Sequence, residues 1–141
     1  MKLDDIIAMW QKDSKIDQTE LGNELEKTYQ LHAKYLDLLQ KEKLKKKGYE
    51  YEYKRKRLEA HEDYTQGPSK ESTRKPPAVG RILRADAPLY LDADKQLQEL
   101  SATIDICESK IDALSGIVNM ITYRNNAVGN VLEWIKWTGG A

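Results

Sequence analysis

The chain has 141 residues, with 23 Lys or Arg set against 23 Asp or Glu, a third of all residues charged, and no Phe. That length suits one domain, and a charged, Leu- and Ile-containing composition without short buried runs favours long amphipathic helices that need partners. A single cysteine, Cys107, excludes an intrachain disulfide and a cysteine-based metal cluster. No apolar run reaches the roughly 18 to 20 residues of a membrane span, and the acidic start Met1-Lys2-Leu3-Asp4-Asp5 has no signal-peptide core. A soluble intracellular protein is expected.

In chain order, Leu3, Ile6, Ile7 and Trp10 fall on one side of a short helix over residues 3 to 12. Asp17 and Glu20 have capping-box spacing, flanked by Ile16 and Leu21, and open a second helix running to about Tyr64. Its stripe is read as Leu21, Leu25, His32, Tyr35, Leu36 and Leu39, with loosening near Gly48. Tyr49-Glu50-Tyr51-Glu52-Tyr53 alternates as a strand would. The lysine-rich flanks hold no β-branched residue, so a continuous helix is preferred, with Tyr49 and Tyr53 on one face and Tyr51 elsewhere. Gly67-Pro68 stops that helix. Residues 65 to 81, with Pro76-Pro77 and Gly80, read as a linker, and residues 82 to 91 as an extended arm or short strand.

The last segment repeats apolar residues at a spacing of three and four. Leu97, Leu100, Ile104, Cys107, Ile111, Leu114, Val118 and Ile121 continue through Asn125 to Val128, Leu132 and Ile135. This predicts a heptad helix from about Asp94 to Trp137, closed by Gly139-Gly140. Asn125 within the heptad either fixes register or faces solvent. The expected fold is all-α: one helical domain over 1–141, divided into N-terminal helices (1–64), a linker or arm (65–91) and a C-terminal helix (92–141). Its centrepiece is a long antiparallel helical hairpin. One hairpin leaves apolar surface over, so Ile104, Ile111, Leu114, Val118, Ile121, Leu132, Trp134, Ile135 and Trp137 are expected at an interface between copies of the chain.

The charge is unevenly spread. Lys41, Lys43, Lys45, Lys46, Lys47, Lys54, Arg55, Lys56 and Arg57 face only three Glu between positions 41 and 57, a local charge of 9 − 3 = +6 in a neutral chain. Lys and Arg neutralise phosphates with release of counterions, and Tyr rings stack on bases whatever their sequence. These nine residues with Tyr49 and Tyr53 are the expected single-stranded-DNA contacts. The plainer reading is a solvated charged face. The segment from Asp86 to Ala141 carries eight acidic and four basic residues, a poor surface for DNA.

Catalytic and metal chemistry find no support. His32 sits on the expected helix seam, where packing is the simplest role, and His61 beside Glu62 and Asp63 does not converge with them on a helix. No metal-ligand spacing, P-loop, dinucleotide-type turn or nucleophile elbow is present. Neither an enzyme nor a cofactor is expected.

Several blocks resemble the UvsY family of recombination mediators from T-even-like phages and their marine relatives. They are Leu3-Asp4-Asp5-Ile6, Lys12-Asp13, Ile16-Asp17-Gln18-Thr19, Leu31-His32-Ala33-Lys34-Tyr35-Leu36, Asp63-Tyr64-Thr65-Gln66-Gly67, Leu89 to Asp94, and Trp134 to Ala141. Where the family usually has basic residues just before the aromatic turn, this chain has Glu59, Ala60, His61, Glu62 and Asp63, so the expected DNA contact is either moved back to Lys54–Arg57 or weaker here. The resemblance implies binding of single-stranded DNA and help for a phage recombinase in displacing single-strand-binding protein. It also implies a homo-oligomeric ring of about six or seven subunits in the cytoplasm of an infected bacterium. On the residues alone a coiled-coil adaptor that binds only proteins is the alternative. A membrane-surface helix is disfavoured, because Leu44 is the only strongly apolar residue from Lys41 to Arg57.

Overall fold

A computed structural model describes residues 1–67 and 82–139, and among these the chain forms four helices: α1 (Leu3–Asp13), α2 (Leu21–Gln66), α3 (Ala87–Ala93) and α4 (Lys95–Thr138). No strand occurs among the described residues. Most of the expected linker, residues 68–81, lies outside them. The fold is all-α, as expected.

α1 opens with acidic Asp4 and Asp5 in its first turn, where the helix dipole favours negative charge, and Asp5 accepts the Lys2 N–H at 3.1 Å. The start of α2 differs from the expected capping box. The Asp17 carboxylate turns onto Thr19, accepting its N–H at 2.9 Å and its hydroxyl at 2.6 Å, and the helix begins only at Leu21. An Asx-type local turn has taken the side chain that would otherwise cap. From there α2 runs unbroken through Gly48 and the alternating tyrosines, so the helical period prevails over the strand pattern. Gly67 follows with φ +92°, a left-handed position suited to glycine at a helix end.

Residues 82 to 91 depart from the expected arm. Pro88 falls in the first turn of the short helix α3, where its missing N–H costs nothing. Asp94 then separates α3 from α4, accepting the Leu97 N–H at 3.1 Å as a cap. At the far end, Gly139 N–H bonds Ile135 O at 2.7 Å, an approach so close that a Cβ would collide with that oxygen.

The helices divide into two compact units, Met1–Leu44 with Glu108–Ala141, and Lys45–Cys107. In the first, α1 and the opening half of α2 pack on the closing half of α4. Ile6, Leu31, Tyr35, Leu39, Leu114, Ile117 and Ile121 form its core, with Met9, Trp10, Leu38, Ile111 and Val118 against it. The pairing is antiparallel. Residues Glu24 and Thr28 meet Arg124, whereas Glu42 meets Lys110 at 3.0 Å. Trp10 meets the fully buried Tyr35 edge-on, with centroids 5.4 Å apart, a favoured aromatic geometry.

The seam differs from the predicted heptad by a rotation of the helices. On α4 the buried positions of this unit are Leu114, Ile117, Ile121, Arg124 and Val128, while Ile111 and Val118 are half-buried and Asn125 is exposed. On α2 they are Leu21, Glu24, Thr28, Leu31, Tyr35, Leu39 and Glu42. His32 and Leu36 are therefore off the seam; His32 and Asn125 line a surface depression with Thr28, Tyr29 and Ile121. Buried polar residues set the phase of the seam. Arg124 donates to Glu24 Oε2, Thr28 Oγ at 2.8 Å, Glu24 O at 3.2 Å and Lys15 O at 3.4 Å, so a charged group occupies a core position that apolar counting passes over.

In the second unit, Ala60, Leu91 and Leu97 form a small core, with Tyr53 and Tyr64 against it. Tyr64 donates to Asp94 Oδ2 at 2.7 Å, its ring lies 5.7 Å from that of Tyr90, and its carbonyl accepts the Ile82 N–H at 3.0 Å.

Candidate nucleic-acid interface

All nine basic residues of the 41–57 run lie on α2, but they are not equivalent. Lys41 pairs with Asp37 at 2.8 Å, Lys46 with Glu50 at 3.7 Å, and Lys56 with Glu59 at 3.6 Å. Lys46 and Lys56 are half-buried on the helix side that faces the core. Lys43, Lys47, Lys54, Arg55 and Arg57 are exposed and carry no ion pair among the described residues; Lys45 is exposed as well.

Within the second unit the outward side of α2 is defined by helical spacing. Lys47, Tyr51 and Arg55 follow one another at intervals of four, Lys54 lies three residues after Tyr51, and Leu58 seven after it. All five are exposed. Lys47, Lys54 and Arg55 thus surround one aromatic ring, with the Lys54 ammonium 6.0 Å from the Tyr51 centroid. That is the outer reach of a cation–π contact.

The tyrosines expected at DNA are turned the other way. Tyr49 and Tyr53 do share a face, but it is the inner one: Tyr53 packs against the Ala60–Leu91–Leu97 core and Tyr49 is half-buried. Tyr51, which the sequence reading left aside, is the exposed ring. The signal for it lay in the phase of α2, since Ala60 marks the buried side and Tyr51, nine residues earlier, falls opposite it.

The residues expected between copies of the chain also separate into three groups. Leu114 and Ile121 are 1% exposed and covered by the chain's own helices, while Ile111 and Val118 pack against the same core and stay half-buried. Ile104 and Leu132 are half-buried. At the end of α4 the side chains stand free: Trp134 is 68%, Ile135 43% and Trp137 87% exposed. Among the described residues no group of His, Cys, Asp or Glu could hold a metal, and no helix is long and apolar enough to cross a membrane.

Among the described residues the fold is one of long helices without strands, and Lys47, Lys54 and Arg55 flank the exposed Tyr51 on one face of α2. The sequence from residue 9 to residue 141 matches the family described as recombination, repair and ssDNA binding protein UvsY, and the chain belongs to that family. Its fold is that of the bacteriophage T4 recombination mediator protein UvsY. One crystal form superposes with a TM-score of 0.84 at 23% identity, covering 97% of this chain and 99% of that one. A second gives 0.83 at 23% identity, covering 99% and 98%. No curated protein matches the sequence.

Proposed function

We propose that this protein binds single-stranded DNA along the outward face of α2 and, as a mediator, helps a recombinase assemble on strands covered by single-strand-binding protein. The observation that carries the site is the clustering of Lys47, Lys54 and Arg55 on one exposed face, with no ion pair among the described residues. Each is free to neutralise a phosphate, whereas the paired Lys41, Lys46 and Lys56 must first give up a carboxylate. Lys43, Lys45 and Arg57 add positive charge on α2. The protein acts by binding, needs no cofactor, and works in the cytoplasm of an infected bacterium.

The proposal includes assembly into a ring, with Trp134, Ile135 and Trp137 as the contact between copies. Their exposure supports this, because three large apolar side chains at one helix end would otherwise stay in water. Mediation then follows from differential binding: several linked faces hold the strand in the conformation that the recombinase takes up.

The test is binding of a labelled single strand at two salt concentrations by the full chain and by a Lys47→Ala, Lys54→Ala, Arg55→Ala variant. About −0.7 of log–log salt slope per phosphate contact should be lost for each residue, roughly two in all. Undiminished affinity and slope would move the DNA site elsewhere. Absence of single-strand binding by the full chain would leave the protein-only adaptor.

A further inference from the structure

We propose that Tyr51 is the residue that distinguishes single-stranded from duplex DNA, by stacking its ring on an unpaired base. The inference rests on the reading of the α2 face as the DNA site and adds a specific role that basic residues cannot supply. Phosphates are present on both single and double strands, so Lys47, Lys54 and Arg55 attract both. An open base face exists only where the strand is unpaired.

Four observations single out this ring. Tyr51 is 53% exposed, whereas Tyr53 is engaged with the Ala60–Leu91–Leu97 core and Tyr64 is held by Asp94. Cationic side chains flank Tyr51 one turn before (Lys47) and one turn after (Lys54 and Arg55), within reach of the phosphates on either side of a stacked base. The Lys54 ammonium rests at the limit of its contact with the ring and can pass to a phosphate as a base arrives. Leu58, 61% exposed on the same face, extends the apolar surface for a neighbouring base.

Stacking on an aromatic side chain is sequence-tolerant, because every base has a π face. The full-length Tyr51→Ala variant should therefore bind an oligothymidine strand about 5- to 150-fold more weakly than the parent chain. Its salt slope should be unchanged, since no phosphate contact is lost. Tyr51→Phe should retain parental affinity. Affinity for a duplex of equal length, and for an abasic strand of equal length, should be the same for parent and Tyr51→Ala. The abasic strand is the decisive arm: it keeps every phosphate and removes every base.

An equal loss on the abasic strand, or no loss on oligothymidine, would overturn the role of Tyr51 while leaving the basic face intact. A fall in oligomer mass for Tyr51→Ala, read by light scattering, would assign Tyr51 and Leu58 to packing between copies and would also overturn it. Failure of the α2 reading looks different, as an unaltered salt slope in the Lys47, Lys54, Arg55 triple variant.

Discussion

Tyr64 donates its hydroxyl to one oxygen of Asp94, and the other oxygen of that carboxylate accepts the Leu97 N–H. The last turn of α2 and the first turn of α4 are thereby fixed to a single buried side chain, 4% exposed. Tyr64→Phe removes one hydrogen bond to a charged acceptor and should lower stability by about 1.5 to 3 kcal/mol. Asp94→Ala removes the helix cap together with that hydrogen bond, and should cost more. Urea midpoints would rank the two, and an Asp94→Ala chain as stable as the parent would show that the joint carries no stability.

A second polar joint lies among apolar residues. Arg124 and Glu24 are 4% and 8% exposed at their side chains, and removal of one partner leaves the other charged and buried. Arg124→Met should destabilise by about 3 to 5 kcal/mol, whereas the double change Arg124→Met, Glu24→Leu should recover much of the loss. A double variant worse than the single would mean that the contacts of Arg124 to Thr28 and Lys15, rather than the charge pair, hold the seam.

The same pair sets a pH response. Burial pushes the Glu24 carboxyl up, but the Arg124 guanidinium, the Asp17 N–H and nearby Lys27 outweigh it and hold it below its ordinary 4.5. Asp13 is treated alike: burial raises it, and Lys34 at 2.7 Å with the Tyr35 hydroxyl at 2.9 Å brings it below 3.8. In each case the unfolded carboxylate takes up its proton first as pH falls. The stability these groups contribute is therefore complete above about 4.5 and is lost as pH drops through the lower folded values. Urea midpoints followed from neutral pH downward should fall in that window, and Glu24→Gln should flatten the decline while lowering the neutral plateau. An equally steep decline in Glu24→Gln would place the acid sensitivity at other carboxylates.

The element boundaries were largely legible because helical period, glycine stops and prolines are local signals. α1, the unbroken path of α2 through Tyr49–Tyr53, and the Lys95–Thr138 extent of α4 all follow from them. The phase of each helix was not legible. Glu24, Thr28, Glu42 and Arg124 are buried polar residues that satisfy one another or meet Lys110, and apolar counting rotates the seam away from them. On α4 a shift of one residue exchanges Arg124 for Asn125, and on α2 the inward turn of Tyr49 and Tyr53 leaves Tyr51 as the outward ring. The blocks that carry the family resemblance turn out to be joints. Asp13 of one block meets Lys34 and Tyr35 of another, and Tyr64 meets Asp94 in the same way.

Core and assembly surface should separate under mutation. Leu114 sits inside the chain at 1% exposure, so Leu114→Asp should unfold the protein, and Leu114→Ala should cost about 2 to 5 kcal/mol, without a selective effect on subunit number. Trp137→Ala, at a side chain 87% exposed, should leave helicity and the urea midpoint of the isolated subunit in place while reducing the mass seen by light scattering. A Leu114→Ala chain that stays fully stable but dissociates would instead put Leu114 at the contact between copies.

Truncation before Val131 brings assembly and DNA binding together in one measurement. It removes Leu132, Trp134, Ile135 and Trp137, yet Val128, the last fully buried residue of α4, remains. The excised turns are mostly exposed, so the shortened chain should fold with near-parental helicity. The α2 face is untouched, and each subunit keeps every proposed DNA contact. Lys47, Lys54 and Arg55 offer only a few phosphate contacts, so one face alone should bind weakly at physiological salt. Linked copies along the same strand gain about 10² to 10⁴ in apparent affinity when the strand can reach more than one. The truncated chain should therefore lose higher oligomers and most of its single-strand affinity in parallel, and its support of recombinase loading should fall with them. On a strand long enough for only one face, parent and truncated chains should bind alike. A truncated chain that is monomeric and still binds long strands as tightly as the parent would mean that a single face suffices and that the ring is not the source of affinity.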